Sequence, residues 1–136
     1  MKIIDLTHTI SHGMDVFPGE ISPSLIRDIL PEDAGYVTHR LESNMHTGTH
    51  IDAPFHAKSD DVTIDRYPVE FFSGSAAVID VRGIEQISMN PGWETLFNEN
   101  RIVLFCTGYS KNWKSENYYF DYPEFDPEIA RSLVKC

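Results

Sequence analysis

Cysteine is scarce in this 136-residue chain, which has only Cys106 and Cys136. Two thiols so far apart cannot frame a disulfide-stapled domain, and the expected compartment is a reducing cytoplasm. Cys106 closes the apolar run Ile102–Cys106 with no His or Lys beside it to lower its pKa, so it is expected to be a buried structural thiol. Hydrophobic runs long enough to cross a bilayer are missing. The N-terminus places Asp5, Thr7 and His8 where a signal peptide needs an unbroken apolar stretch. Basic residues are few, 11 against 21 acidic, for a formal charge of -10. Without a basic stripe, nucleic acid is excluded as a partner and an anionic membrane surface is disfavoured. The acidic residues form no block, so they read as a solvated surface. Histidine is absent after position 56: all six (His8, His12, His39, His46, His50 and His56) lie before it. Chemistry is therefore expected in the first part of the chain and scaffold in the rest.

What remains is ordinary for a globular protein. A hydrophobic content of 41%, with 12% aromatic, suits one domain over residues 1–136 with a fair-sized core. No repeat, linker or low-complexity tract interrupts it, and Pro and Gly recur as in a β-rich domain with short connections. Ile3–Leu6 reads as a first strand and Phe17-Pro18-Gly19-Glu20 as a turn. Ser24–Ile29 and Tyr36–Leu41 alternate as half-buried strands, whereas Ala76–Val81 and Ile102–Cys106 are nearly continuous apolar runs, the pattern of strands covered on both faces. Trp93–Asn98 reads as a short helix. A second helix has Asp126 as N-cap, Pro127 at its first position and Ile129, Leu133 and Val134 as an apolar stripe. The aromatic stretch from Tyr118 to Pro123 reads as a packed or interface loop, with a small aromatic-ligand site as the alternative.

The informative segment runs from Asn44 to His56 and holds three imidazoles and one carboxylate, His46, His50, Asp52 and His56. Imidazole nitrogen and carboxylate oxygen are ligands that zinc, manganese and iron share, and three protein ligands with an open position is the pattern of a catalytic site. All four residues occupy even positions, so an extended chain would turn them to one side. A helix would bring His46 and His50 together, but Thr47, Gly48, Thr49, Ile51 and Pro54 disfavour one. A straight strand fails differently, because four residues span roughly 13 Å. The chain is therefore expected to bend between the two histidines, with Gly48 as the hinge. Asp52 has the oxygens to bind one ion or bridge two. His56, beyond the stiff Ala53-Pro54 step, is better placed to carry protons around neutral pH. A metal in this site would lower the pKa of a bound water and polarise a scissile carbonyl. His8, His12 and His39 read as structural or surface residues.

The run His46-Thr47-Gly48-Thr49-His50-Ile51-Asp52-Ala53-Pro54-Phe55-His56 resembles the signature of the cyclase/kynurenine formamidase-like family of metal-dependent hydrolases. Ile4–His8, Phe17-Pro18-Gly19, Ala77–Gly83 and Val103–Trp113 resemble family segments in the same order, so the likeness touches nearly the whole chain. It implies an α/β fold of the swivelling β/β/α type, β-rich with few helices, and a homodimer or higher homo-oligomer. It also implies a site for a divalent metal, Zn2+ first and Mn2+ as the alternative, holding one or two ions. The reaction implied is hydrolysis of an amide C–N bond in a small aromatic or cyclic substrate, such as N-formyl-L-kynurenine or the lactam isatin. Carried over residue by residue, His46, His50 and Asp52 are metal ligands, with Asp52 bridging if two ions bind, and His56 is the catalytic acid/base. Phe17 stands where formamidases typically present a tryptophan to the substrate, so it is the candidate substrate-binding residue. Family members continue beyond the helix at 126–135 to a distal His and Glu that this sequence does not contain. The resemblance therefore implies a missing C-terminal part and weak or absent binding of a second ion. The competing expectation is a catalytically impaired form of the same fold, serving as an oligomerisation or small-ligand-binding module.

Overall fold

Short runs of β-forming residues on either side of Pro31 build the first sheet. In the computed structural model, which describes residues 2–135 and leaves Cys136 outside, Ser24–Ile29 (β1) pairs antiparallel with Thr38–Glu42 (β2). The register sets Leu25 opposite Leu41 and Arg27 opposite His39, with an irregularity between Arg27 and Ile29. A four-residue helix, Pro31–Ala34 (α1), lies in the connection. The expected strands form, but they are exposed along most of their length rather than half-buried. A two-stranded pair presents two faces, and the buried side chains of this part of the chain, Met14, Pro23 and Thr47, lie outside it.

The apolar runs pair with each other. Ala76–Asp80 (β3) runs parallel to Ile102–Cys106, with Ala76 opposite Ile102 and Asp80 opposite Cys106. Parallel strands need a crossover, and here it carries the short strand Gln86–Ile87 (β4) and the helix Trp93–Glu99 (α2) before Ile102–Cys106 (β5). β4 pairs in parallel with Glu124–Phe125 (β6), which leads into the last helix, Pro127–Leu133 (α3). Ile79, Val81, Ile87, Phe97 and Ile129 form the core, and Ile87 is fully buried. Phe105 packs edge-on to Trp93, Phe97 and Phe125, with centroids 5.6, 6.4 and 4.9 Å away. The chain thus divides into two compact units, one ending at Asp61 and the other beginning at Val62. No helix among the described residues is long and apolar enough to cross a membrane.

Several local expectations are corrected. Ile3–Leu6 is not a strand, and its apolar side chains are exposed. The Asp5 carboxylate instead accepts the Thr7 N–H at 2.9 Å and the Thr7 hydroxyl at 2.6 Å, a local bond that competes with sheet pairing. β3 is covered on one face only: Ala77 and Ile79 are buried while Val78 is 67% exposed. Cys106, at the end of β5, is exposed rather than buried. Asp126 stands at the N-cap of α3 without capping it, because its carboxylate accepts from Gln86 Nε2 at 2.9 Å and from the Ser88 hydroxyl. Of the α3 stripe Ile129 is buried, but Val134 is 87% exposed. The aromatic loop is split, with Tyr118 stacked on Tyr109 and edge-on to Trp113 while Phe120 and Tyr122 are exposed.

At the end of β3, Arg82 folds back onto Asp80, with Nη2 2.6 Å from Oδ2 and Nε 2.9 Å from Oδ1. These side-chain bonds, aided by the Arg82 backbone N–H, hold the Asp80 carboxyl down at about 2. A folded-state value below the unfolded 3.8 means that this contribution to stability is complete above about pH 4 and is lost as the pH falls toward 2. An NMR titration is expected to find the Asp80 midpoint near 2, returning toward 3.8 in Arg82→Ala. An unchanged midpoint in the variant would remove Arg82 as the cause.

Candidate metal centre

The bend expected at Gly48 is present, with φ +65°, in the left-handed region that glycine enters without steric cost. It folds the loop so that three donor atoms converge. His46 Nδ1 lies 2.9 Å from Asp52 Oδ1 and 3.2 Å from His50 Nε2, and His50 Nε2 lies 3.6 Å from Asp52 Oδ1. Donors at about 2.0–2.1 Å from one tetrahedral ion stand roughly 3.3–3.4 Å apart, so the three measured separations bracket what a single zinc-sized ion requires. A divalent ion fits this donor set, which is the one such cluster found among the described residues.

The loop also orients one of these donors. His50 Nδ1 sits 3.0 Å from the Gly48 carbonyl. A carbonyl only accepts, so Nδ1 carries the proton and neutral His50 keeps its Nε2 lone pair for the cluster. Gly48 thus supplies both the bend and the acceptor that orients the second histidine. The cluster is half open to solvent, with side-chain exposures of 33%, 32% and 47% for His46, His50 and Asp52. That openness would leave a coordination position of an ion held here open to water.

His56 closes the turn Pro54–His56, its N–H donating to the Ala53 carbonyl at 2.9 Å. Its ring lies beside that of His46, with centroids 4.1 Å apart and planes tilted by 54°. All four residues singled out between 46 and 56 are therefore brought together, three as converging donors and the fourth against them. Phe17 opens its turn, where the Glu20 N–H donates to the Phe17 carbonyl at 3.0 Å, and its side chain is half exposed. Of the other histidines, His12 Nδ1 accepts the Leu25 N–H, the His8 N–H donates to the hydroxyl of Thr49, the residue before His50, and His39 is exposed on β2.

Residues without an assigned role hold the loop in shape. The Asn44 side-chain oxygen accepts the His46 N–H at 3.0 Å. Buried Thr47 donates its hydroxyl to the Asn44 carbonyl at 2.9 Å and accepts from the Ser43 hydroxyl. The Asn44 amide nitrogen donates to the Glu20 carboxylate. An Asn two residues before a ligand is a local turn signal that could have marked Asn44. Glu20 is 24 residues away and carried no such signal.

A family model described as "Putative cyclase" matches residues 4–136. The chain is 34% identical over 134 residues to a kynurenine formamidase of Bacillus cereus, a match covering 96% of this chain and 60% of that protein. A kynurenine formamidase of Bacillus cytotoxicus is 30% identical over 133 residues, covering 97% and 63%. Among solved structures, isatin hydrolase A from Labrenzia aggregata bound to benzyl benzoate is similar with a TM-score of 0.73 at 23% identity, covering 98% of this chain and 63% of that one. The chain therefore spans less than two thirds of the length of these relatives. The structural likeness establishes the α/β fold expected from the sequence.

Proposed function

The chain belongs to the Cyclase family, and from that premise we propose that it serves a metal-dependent hydrolase cleaving the amide C–N bond of a small aromatic or cyclic substrate, as an arylformamidase does. The observation that carries this reading is the triangle of His46 Nδ1, His50 Nε2 and Asp52 Oδ1, sized for one ion. Zinc is the first candidate and manganese the second, with Asp52 able to share a second ion through its other oxygen. Such an ion supplies Lewis acidity, lowering the pKa of water and polarising the substrate carbonyl.

The chain's own residues supply the rest. His56, against His46, takes the proton from the water whose oxygen bonds to the acyl carbon. It returns that proton to the leaving nitrogen as the C–N bond breaks, so proton and electron pair are both accounted for. Phe17 offers an apolar face to the substrate ring. The names of the relatives, kynurenine formamidase and isatin hydrolase, support an aryl formamide or an aromatic lactam as substrate. A homodimer or larger oligomer in the cytoplasm is the working form, a reading supported by the exposed Leu25, Ile26 and Leu41 of the β1–β2 pair.

The test is metal analysis of protein purified without chelator, joined to assays of formate release from N-formylkynurenine and ring opening of isatin. About one zinc or manganese per chain is expected from three converging ligands, together with hydrolysis of one of the two compounds. Protein that takes up no metal from added zinc would overturn the metal centre. Metal-loaded protein that leaves both compounds intact would overturn the substrate class.

A further inference from the structure

Two segments far apart in sequence meet at one side chain beside the metal loop. Asn44 uses both ends of its amide: Oδ1 accepts the His46 N–H at 3.0 Å and Nδ2 donates to Glu20 Oε2. Its backbone carbonyl accepts the Thr47 hydroxyl at 2.9 Å, so it is held from a third side by a buried group. Glu20 in turn closes the Phe17 turn, donating its N–H to the Phe17 carbonyl at 3.0 Å. A continuous line of hydrogen bonds therefore runs from the Phe17 turn through Glu20 and Asn44 to the backbone of His46.

We propose that Asn44, locked by Glu20, is a positioning residue that sets His46 in the metal centre and ties the Phe17 turn to the metal loop. The proposal rests on the reading of His46, His50 and Asp52 as metal ligands. Neither residue is among the converging donors, so the pair acts through the backbone of His46. The amide suits this place because it is donor and acceptor at once. A carboxylate at position 44 would still accept from His46 but would face Glu20 as acceptor against acceptor. Groups that orient a ligand from behind are worth about 10–100-fold in metal affinity.

This chemistry yields a test with a distinctive sign. Asn44→Asp adds a negative charge near the cation, so through-space electrostatics alone would tighten zinc binding. Positioning predicts the opposite, a loss of about tenfold in zinc affinity. Glu20→Gln combined with Asn44→Asp re-creates one donor and one acceptor with their places exchanged, and is expected to recover affinity to within about threefold of the original chain. Zinc affinity is read by competition with a chelating dye, and circular dichroism with EDTA present checks that each variant folds. Asn44→Asp binding zinc as well as or better than the original would overturn the proposal, as would failure of the exchanged pair to recover affinity. If Asn44→Asp does not fold, Glu20→Ala against Glu20→Gln decides, because both remove the charge and only Gln keeps an acceptor for Asn44: affinity about tenfold lower in Ala than in Gln supports the pair, and equal affinities overturn it. An original chain that binds no zinc would overturn the metal centre itself, a separate and recognisable failure.

Discussion

Replacing His50 by alanine is expected to strip zinc from the chain under conditions where the original protein retains it. Zinc held by four ligands is bound with roughly 10–16 kcal/mol in small structural sites, or about 2.5–4 kcal/mol for each ligand. One lost imidazole therefore costs on the order of a hundred- to a thousandfold in affinity. His50 stands at one corner of the donor triangle. Its Nε2 is 3.2 Å from His46 Nδ1 and 3.6 Å from Asp52 Oδ1, and its tautomer is set by the Gly48 carbonyl. His39→Ala is the control, since His39 is exposed on β2 and outside the cluster. Chelator competition on both variants checks the expectation. Equal zinc affinity in His50→Ala and His39→Ala would show that the triangle does not bind the ion.

His56→Ala is expected to separate chemistry from binding. Its ring packs against His46, but it is not among the converging donors. Zinc content should therefore stay at the original level. Turnover of N-formylkynurenine by metal-loaded protein should fall by about 10²–10⁴-fold, the range for a lost general acid–base group. Metal content and kcat measured on the same preparation distinguish the outcomes. Loss of zinc along with turnover would make His56 a ligand, and unchanged kcat would remove its role as proton carrier.

The centre was legible in the sequence because its signals are local. The even spacing of His46, His50, Asp52 and His56, the unsuitability of Thr47 to Pro54 for a helix and the reach of a straight strand together demanded a bend, and Gly48 takes it at φ +65°. The Phe17–Glu20 turn was legible for the same reason, since Pro18-Gly19 specifies it within four residues. The short helix expected over Trp93–Asn98 forms as Trp93–Glu99. The misreadings share an opposite cause. Ile3–Leu6 has strand composition but no described ladder, and Asp5 spends its carboxylate on Thr7. Asp126 has the right residue type and position for a cap, yet Gln86 and Ser88, about 40 residues away, take its carboxylate. Cys106 ends an apolar run whose composition says core, yet its place at the end of β5 leaves it exposed.

The sequence by itself determined the cluster of donors, the bend that gathers it and the turn that carries Phe17, because each is decided by conformational limits and residue chemistry within about a dozen positions. Tertiary structure alone decided which face of β3 is covered, what captures the Asp126 carboxylate and how Asn44 reaches Glu20. Those outcomes depend on which distant donor or apolar surface arrives at a given side chain. A hydrogen bond or a buried contact has no strength until its partner is in place, and local residue type does not reveal where that partner will come from.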